Sequence, residues 1–348
     1  MGGAAVVATA TVLAACGSGN SGGGSGGTGG SSLSGTLNAS GSSFQLTFQQ
    51  AAIQAFRSIQ PGMTVNYAGG GSGKGRTDLA AGTVNFAGSD SPIPAAEMAS
   101  FHGRKVLYFP VVIGPITVAY NLPGVKTLKL TGPVIAKIFQ GDIKTWNDPA
   151  IRSINPGVHL LSTAITIARR SDSSGTTENF SEFLLKAAPG VWKLGSSSTI
   201  NWPAASRGGN GNGGVAQIVK STTGAVGYVD YADAKASGLA FASVQNKDHV
   251  FVAPSPSSAS AAAGQAKVAP DLTFSALWAP GASSYPITYQ SWDLVYQKQP
   301  GHNTAKMLRS YIGYLLGDGQ KLLHSLNYAP LPASVDQKAK AQLSQIGS

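Results

Sequence analysis

Three short turns in the sequence combine small residues with hydroxyl side chains. They are Ser42-Ser43-Phe44, Gly71-Ser72-Gly73 and Ser174-Gly175-Thr176, and each stands between a predicted strand and a predicted helix. The first turn of a helix offers unpaired N–H groups and partial positive charge, and hydroxyl groups add further donors. Each turn therefore fits an anion-binding site. Each fits an ordinary helix N-cap equally well, and the sequence does not show whether the turns meet.

Other chemistries that the same residue types could support lack their required patterns. The stretch 69–75 fails the nucleotide P-loop pattern, because Ala68 stands where its first Gly is needed and Gly75 follows the Lys where a hydroxyl should bind magnesium. The five His are far apart in the sequence, and there is one Cys, so a zinc site has few ligands. A hydrolase built on Ser174 lacks a recognisable base. We therefore expect no catalytic residue, no metal and no cofactor.

The elements that must position these turns alternate between strands and helices, which predicts an α/β fold. The predicted strands are 36–39, 64–67, 84–88, 106–110, 116–121, 165–170, 225–229 and 287–289. The predicted helices are 44–60, 76–81, 131–139, 176–188, 215–220, 307–316 and 320–326. The strands at 106–110 and 116–121 are expected to flank a Gly-Pro bend, and the Ser/Ala/Pro-rich stretch 253–269 is expected to be a surface excursion.

Composition and charge limit the functional classes. The chain has 348 residues, of which 42% are hydrophobic and 11% charged, and its net charge is +10. The only adjacent basic pairs are Arg104-Lys105 and Arg169-Arg170. Nucleic-acid-binding proteins usually concentrate Lys and Arg on one face, so we expect no nucleic-acid partner.

The N-terminus has the composition of an export signal followed by a tether. Residues 4–15 form an apolar stretch that is too short to span a bilayer, and no positively charged residue precedes it, so we expect 1–15 to be a truncated signal peptide. Leu13-Ala14-Ala15-Cys16 resembles a bacterial lipoprotein signal, which implies a lipid on Cys16 and a location on the outer face of the cytoplasmic membrane. Residues 17–32 contain only Gly, Ser, Asn and Thr, which is typical of a linker.

Several ordered segments resemble the phosphate-binding proteins that serve bacterial phosphate ABC transporters. The resemblance covers about 36–335. Its most specific segments are Ala68-Gly-Gly-Gly-Ser-Gly-Lys-Gly75, Phe86-Ala-Gly-Ser-Asp90 and Arg169-Arg-Ser-Asp-Ser-Ser-Gly-Thr176. Phe109–Gly114, Lys144–Asp148, Gly224–Val229 and Tyr285–Thr288 support it.

This resemblance implies a two-lobed periplasmic binding protein fold of the type II topology. Lobe 1 would comprise 33–117 and 287–348, and lobe 2 would comprise 118–286. Two hinge crossings are expected, near 115–120 and near 286–290. Ligands of such proteins are held between lobes that close around them.

The resemblance also implies a ligand set and the roles of its members. The expected phosphate-binding residues are Ser43, Phe44, Ser72, Asp90, Arg170, Ser174, Gly175 and Thr176. Asp172 is expected to pair with Arg170 and orient it. Ser43 stands where the family has Thr and keeps the hydroxyl, whereas Lys74 departs from the small residue that the family often has.

Asp90 gives the implied site its selectivity. A carboxylate beside an anion is favourable only if it accepts a proton from the ligand, which phosphate carries and sulfate at neutral pH does not. The expected function is therefore capture of inorganic phosphate and delivery to the permease subunits of an ABC transporter, by a monomer that is not an enzyme. A lipoprotein that binds another tetrahedral oxyanion or only senses phosphate, and a phosphoryl-transfer enzyme on the same fold, are the alternatives.

Overall fold

Two long strands, Val106–Tyr120 and Thr288–Tyr296, run antiparallel through the centre of the molecule. Nearly every residue in them is buried, on both faces of the sheet, as expected for strands that are covered by other elements on each side. They are rich in Val, Ile and aromatic residues, which pack well on a pleated surface. Both strands therefore form the core around which the remaining elements assemble.

The structure is a computed structural model that describes residue 2 and residues 33–348, and the latter form one unit. In residues 33–348 the strands are β1 Gly35–Gly41, β2 Met63–Ala68, β3 Phe86–Ser89, β4 Val106–Tyr120, β5 Lys129–Leu130, β6 Thr166–Arg170, β7 Arg207–Gly209, β8 Ala225–Asp230, β9 Ala240–Phe241, β10 Ser243–Gln245, β11 Phe251–Val252 and β12 Thr288–Tyr296. The α-helices of the same residues are α1 Leu46–Ile59, α2 Ser72–Ala80, α3 Gly132–Phe139, α4 Pro149–Arg152, α5 Gly175–Ala187, α6 Gly211–Ser221, α7 Tyr231–Ala236, α8 Pro256–Ala263, α9 His302–Leu316 and α10 Ala333–Gln342. Cys16 and the segments predicted as signal peptide and linker lie outside the described residues, except for Gly2.

The main sheet has the strand order β2-β1-β3-β12-β4-β8-β6-β7, and β9 also pairs with β4. Strand β4 changes partner in its middle, because Pro115 pairs with Thr288 of β12 and Ile116 pairs with Asp230 of β8. The Gly-Pro sequence was expected to separate two strands, and that prediction was wrong. A proline lacks the N–H that a central ladder needs, but here it stands where one ladder ends and another begins.

The helices depart from the prediction in several places, of which three bear on the fold around the cleft and the sheet. Helix α2 begins at Ser72 rather than at residue 76, so the glycine-rich turn continues into its first turn. The stretch expected to be a surface excursion contains α8, whose Ala259 and Ala262 are fully buried in an element that packs on β4 and β12. Near the C-terminus, 318–322 is a 3-10 helix, and α10 follows it without having been predicted. The alanines of α8 form no amphipathic pattern in the sequence, but their small side chains allow the helix to pack closely on the sheet.

The strand directions bring several loops to one region. Strands β1, β2 and β3 are parallel to one another, and β6, β7 and β8 form a second parallel group. In open α/β sheets, ligands bind at the carboxyl ends of such strands. None of the helices in residues 33–348 has both the length and the apolar composition needed to cross a membrane.

Candidate anion-binding site

The three predicted turns come together at the carboxyl ends of the parallel strands. Ser42 of the first turn and Ser72 of the second both lie against the carboxylate of Asp90, which follows β3. The third turn faces them, because a Cβ added to Gly175 would lie 2.6 Å from Cβ of Asp90 and would overlap Oγ of Ser72. Only glycine allows this approach, so the first turn of α5 lies directly against Asp90.

Asp90 is buried, and its two carboxylate oxygens have different surroundings. Oδ1 accepts hydrogen bonds from Oγ of Ser42 and Oγ of Ser291, each at 2.5 Å. Oδ2 has only Oγ of Ser72, at the long distance of 3.4 Å. The backbone N–H of Asp90 donates to the same Ser72 oxygen at 3.1 Å. Oδ1 is thus satisfied by the protein, whereas Oδ2 keeps its capacity to accept a proton from a ligand.

Burial raises the pKa of Asp90 to about 6, because the charged carboxylate loses its hydration. The hydrogen bonds from Ser291 and Ser42 and the positive charge of Arg170 oppose this shift and limit it. Asp90 is therefore ionised at neutral pH, and it becomes a neutral acid within the mildly acidic range.

Arg170 is held in the site by a carboxylate and a hydroxyl. Its Nε donates to Oδ1 of Asp172 at 2.8 Å, and its Nη2 pairs with the other oxygen of that carboxylate. Its Nη1 donates to Oγ1 of Thr176 at 3.3 Å. Burial lowers the pKa of Arg170, but the hydrogen bond and the charge of Asp172 outweigh burial, so the net direction is upward. Asp172 thus holds the guanidinium of Arg170 at two of its nitrogens.

The N-terminus of α5 combines a cap with unpaired backbone donors. Oγ of Ser174, the N-cap residue, accepts a hydrogen bond from the N–H of Thr177 at 3.1 Å. Its hydroxyl proton remains available as a donor. Gly175 and Thr176 form the start of the first turn, where an N–H has no intrahelical acceptor. Capping and anion binding, which the sequence left as alternatives, are therefore compatible at this helix.

The first turn differs in detail from the expectation. The N–H of Phe44, expected to donate to an anion, donates instead to Oγ of Ser42 at 3.1 Å. Oγ of Ser43 accepts from the N–H and from Nδ2 of Asn212, at 3.3 and 3.2 Å. The Phe44 ring is buried and stacks on Tyr289 with 4.1 Å between ring centroids. Phe44 therefore anchors the turn through its side chain.

Direct contacts join the two groups of parallel strands and their loops across the cleft. The N–H of Gly73 donates to the carbonyl of Ser173 at 3.1 Å. Nδ2 of Asn179 donates to the carbonyl of Asp90 at 2.8 Å. Oγ of Ser91 donates to Oε2 of Glu178 at 2.7 Å. These hydrogen bonds hold the two sides of the cleft together.

A cavity of about 540 Å³ lies beside the first turn, and its lining includes Ser43, Lys74 and Asp233. Lys74, the residue that departs from the family pattern, also forms a half-exposed ion pair with Asp78 at 2.5 Å. Exposed pairs of this kind contribute little to stability. Lys74 thus places a positive charge near the mouth of the cleft rather than inside it.

Three site residues were not predicted, and the sequence carried a different amount of information about each of them. Ser42 stands in the first turn, but its neighbour Ser43 was chosen in its place. Ser291 lies 201 residues from the Asp90 carboxylate to which it donates, and no local pattern connects them. Asn212 lies in the glycine-rich segment that forms the start of α6 and resembles the other turns, although none of its residues was assigned a role.

Metal-ligating residues are not clustered in the described part of the chain. Residues 33–348 contain no group of three or more His, Cys, Asp or Glu that could hold a metal ion. The cleft instead presents N–H groups, hydroxyls and one guanidinium, which are donors for an anion.

Known proteins are similar to this chain in sequence and in fold. A family model described as a PBP superfamily domain matches residues 26–318. The phosphate-binding protein PstS of Pasteurella multocida is 36% identical over 313 residues, which is 88% of this chain and 89% of that protein. The phosphate-binding protein PstS 3 of Mycobacterium leprae is 34% identical over 354 residues, and the alignment covers 95% of both chains. The chain belongs to the PstS family of phosphate-binding proteins.

Solved structures agree with this PstS-family assignment at the level of the fold. A periplasmic phosphate-binding protein, PfluDING, determined with bound phosphate, gives a TM-score of 0.74 at 21% identity and covers 88% of this chain and 94% of its own. A phosphate-bound substrate-binding protein of a phosphate ABC transporter, described as putative, from Clostridium perfringens gives 0.63 at 16% identity and covers 86% and 100%. The predicted α/β, two-lobed periplasmic binding protein fold is confirmed.

Proposed function

We propose that this PstS-family protein binds inorganic phosphate in the cleft beside Asp90 and delivers it to the permease of a phosphate ABC transporter. The observation that carries the proposal is the unequal hydrogen bonding of the two carboxylate oxygens of Asp90. One oxygen of its carboxylate is held by two serine hydroxyls, and the other has only a long contact with Ser72. Among donors that suit any anion, this free acceptor favours an oxyanion that still carries a proton.

The ligand would be enclosed by donors from both sides of the cleft. The proposed phosphate-binding residues are Ser43, Ser72, Asp90, Arg170, Ser174, Gly175 and Thr176, whereas Phe44, whose N–H donates to Ser42, supports the first turn through its buried ring. Asp172 acts by holding Arg170. Since Arg170 and Asp172 nearly cancel each other's charge, the N-termini of α2 and α5 supply much of the attraction for the anion. The relatives named as phosphate-binding proteins support this assignment.

The two lobes would be residues 33–117 with 287–348, and residues 118–286. The change of partner in β4 between Pro115 and Ile116 supports a hinge crossing there. The protein would act outside the cytoplasmic membrane, as a monomer anchored by lipid on Cys16, and without catalysis. The arrangement of donors around an anion supports binding.

Calorimetry on the purified chain tests the proposed function. We expect tight, saturable binding of phosphate at pH 8, where Asp90 is ionised, and sulfate binding that is weaker by several orders of magnitude. Sulfate binding of comparable affinity would refute phosphate selectivity. Hydrolysis of p-nitrophenyl phosphate by the same preparation would refute the non-catalytic role.

A further inference from the structure

Asn212 has the position and the hydrogen bonds of a residue that prepares the cleft for its ligand. It is the second residue of α6, and its side chain is completely buried. Its Nδ2 donates to Oγ of Ser43 at 3.2 Å and to Oγ1 of Thr176 at 3.3 Å, and its own N–H donates to Oγ of Ser43 at 3.3 Å. The two hydroxyls belong to opposite sides of the cleft, so Asn212 connects them.

These bonds determine which way both hydroxyl protons point. A hydroxyl oxygen has two lone pairs and one proton. At Ser43 both lone pairs are used by Asn212, and at Thr176 one is used by Asn212 and the other by Nη1 of Arg170. Each hydroxyl can then form a further hydrogen bond only by donating its proton. The ligand proposed above accepts at nearly all of its oxygens, so it meets two donors that are already oriented.

We propose that Asn212 is a positioning residue for phosphate, which orients the Ser43 and Thr176 hydroxyls as donors and ties the two sides of the cleft together when it closes. The inference rests on the proposed function and deepens it. Oδ1 of Asn212 is buried without a partner among the described residues, so Ser43 and Thr176 are the protein partners of the side-chain amide. Preorganised donors of this kind raise affinity because the ligand does not have to reorient them.

Substitution of Asn212 should act mainly on release of the ligand. Asn212→Ala removes two side-chain hydrogen bonds, one of them across the cleft, and we expect the phosphate Kd to rise by about 10- to 100-fold. Because the bond to Ser43 forms only when the cleft is closed, most of this change should appear as a faster koff, with kon nearly unchanged. Stopped-flow kinetics with phosphate on the full chain measures both rates.

A second variant separates orientation from simple packing. Asn212→Leu keeps the approximate size of the side chain but carries no donor and no charge, so Ser43 and Thr176 would no longer be oriented. We expect it to bind phosphate as weakly as Asn212→Ala does. If Asn212 only filled space, the Leu variant would bind like the wild type and only the Ala variant would be weaker, which would overturn the inference.

A double-mutant cycle with Ser43→Ala tests whether Asn212 acts through that hydroxyl. We expect the loss caused by Ser43→Ala to be clearly smaller in the Asn212→Ala background, because an unoriented hydroxyl contributes less. Additive losses would overturn the inference. The matched control is Asn210→Ala, in the same turn, since Asn210 is exposed and makes no side-chain cap hydrogen bond; its Kd should equal that of the wild type.

The experiments distinguish failure of the proposed function from failure of the inference about Asn212. If the wild-type chain binds no phosphate, both the proposed function and the inference fail. If the wild type binds phosphate and both Asn212 variants bind it equally well, the proposed function stands and only the inference fails. Thermal unfolding of each variant establishes that the comparison is made between folded proteins.

Discussion

Asp90→Asn is the most informative single change in the cleft, because it reverses one hydrogen bond without altering shape. Oδ1 of Asp90 accepts from Ser42 and Ser291, so the amide oxygen of the variant must take that position. The amide nitrogen then lies where Oδ2 faces Ser72 and the cleft. The one acceptor available to a protonated ligand becomes a donor.

The effect on phosphate follows from two opposing terms. A hydrogen bond to a charged group contributes about 1.5–3 kcal/mol, and HPO₄²⁻ loses such a bond. The variant also removes the repulsion between the Asp90 carboxylate and the dianion, and its amide can donate to an unprotonated oxygen. Loss of the bond alone would raise the phosphate Kd by roughly 10- to 100-fold. Because the second term opposes the first, we expect a rise of no more than about 100-fold.

For sulfate, removal of the carboxylate charge and gain of an amide donor both favour binding to the variant. Sulfate brings no proton, so in the wild type its oxygen faces an ionised and buried carboxylate. The variant removes that charge and supplies a donor. A site built around one hydrogen bond can discriminate by about 10⁴–10⁵, and we expect Asp90→Asn to reduce the ratio of phosphate to sulfate affinity by at least about 100-fold.

Calorimetry at pH 8 with each anion measures this ratio for the wild type and the variant. Asp148→Asn is the matched control: it changes the net charge by the same amount, and Asp148 is an N-cap that bonds Ala150, a role that Asn performs equally well. The control should leave both Kd values unchanged. An unchanged ratio in Asp90→Asn would refute the role given to this carboxylate.

Three further predictions follow from the same contacts. Because the pKa of Asp90 is about 6, its carboxyl group becomes a hydrogen-bond donor below that pH. Calorimetry should therefore show tighter sulfate binding at pH 5 than at pH 8, and a pH-independent sulfate Kd would contradict this prediction. Arg170→Lys loses the paired contact with Asp172 and should weaken phosphate binding by about 100-fold or more, whereas an unchanged Kd would show that the guanidinium is not a ligand. Burial raises the pKa of Asp293 to about 8 despite its hydrogen bonds from Gln49, so the folded state binds this proton more tightly than the unfolded state does. The free energy of unfolding should therefore fall as pH rises from about 4 to 8, by up to about 1.4 kcal/mol per pH unit for this group. Urea titrations at several pH values should show a smaller decrease for Asp293→Asn than for the wild type. An equal decrease in both proteins would exclude Asp293 as its source.

The local elements were predictable where the chain itself carries the signal. The amphipathic stripe that ends before Pro61-Gly62 predicted a helix, and α1 ends at Ile59. The prediction failed where a neighbour decides the structure. Gly114-Pro115 reads locally as a bend, but β12 and β8 pair with either side of it and keep the strand continuous. The alanines of α8 gave no amphipathic signal, and their burial depends on the sheet beneath them.

The site was predictable to the extent that its chemistry is local. Ser72 and Thr176 stand in turns whose residue types suit an anion, and Arg170 at the end of β6 stands two residues from Asp172, which holds its guanidinium. The partners of Asp90 were not predictable in the same way. Ser291 comes from a strand that is distant in sequence, and the choice between Ser42 and Ser43 depended on which hydroxyl the folded turn presents to the carboxylate.

The sequence by itself showed turns whose glycines and hydroxyls fit an anion, and its resemblance to the phosphate-binding proteins implied which anion and which acidic residue would accept its proton. Tertiary structure alone decided that Asp90 has one satisfied and one free oxygen, that its pKa is about 6, and that Asn212 joins Ser43 to Thr176. The physical reason is that hydrogen bonding and desolvation depend on distances in space. Residues far apart in the chain acquire those distances only when the strands assemble into the sheet.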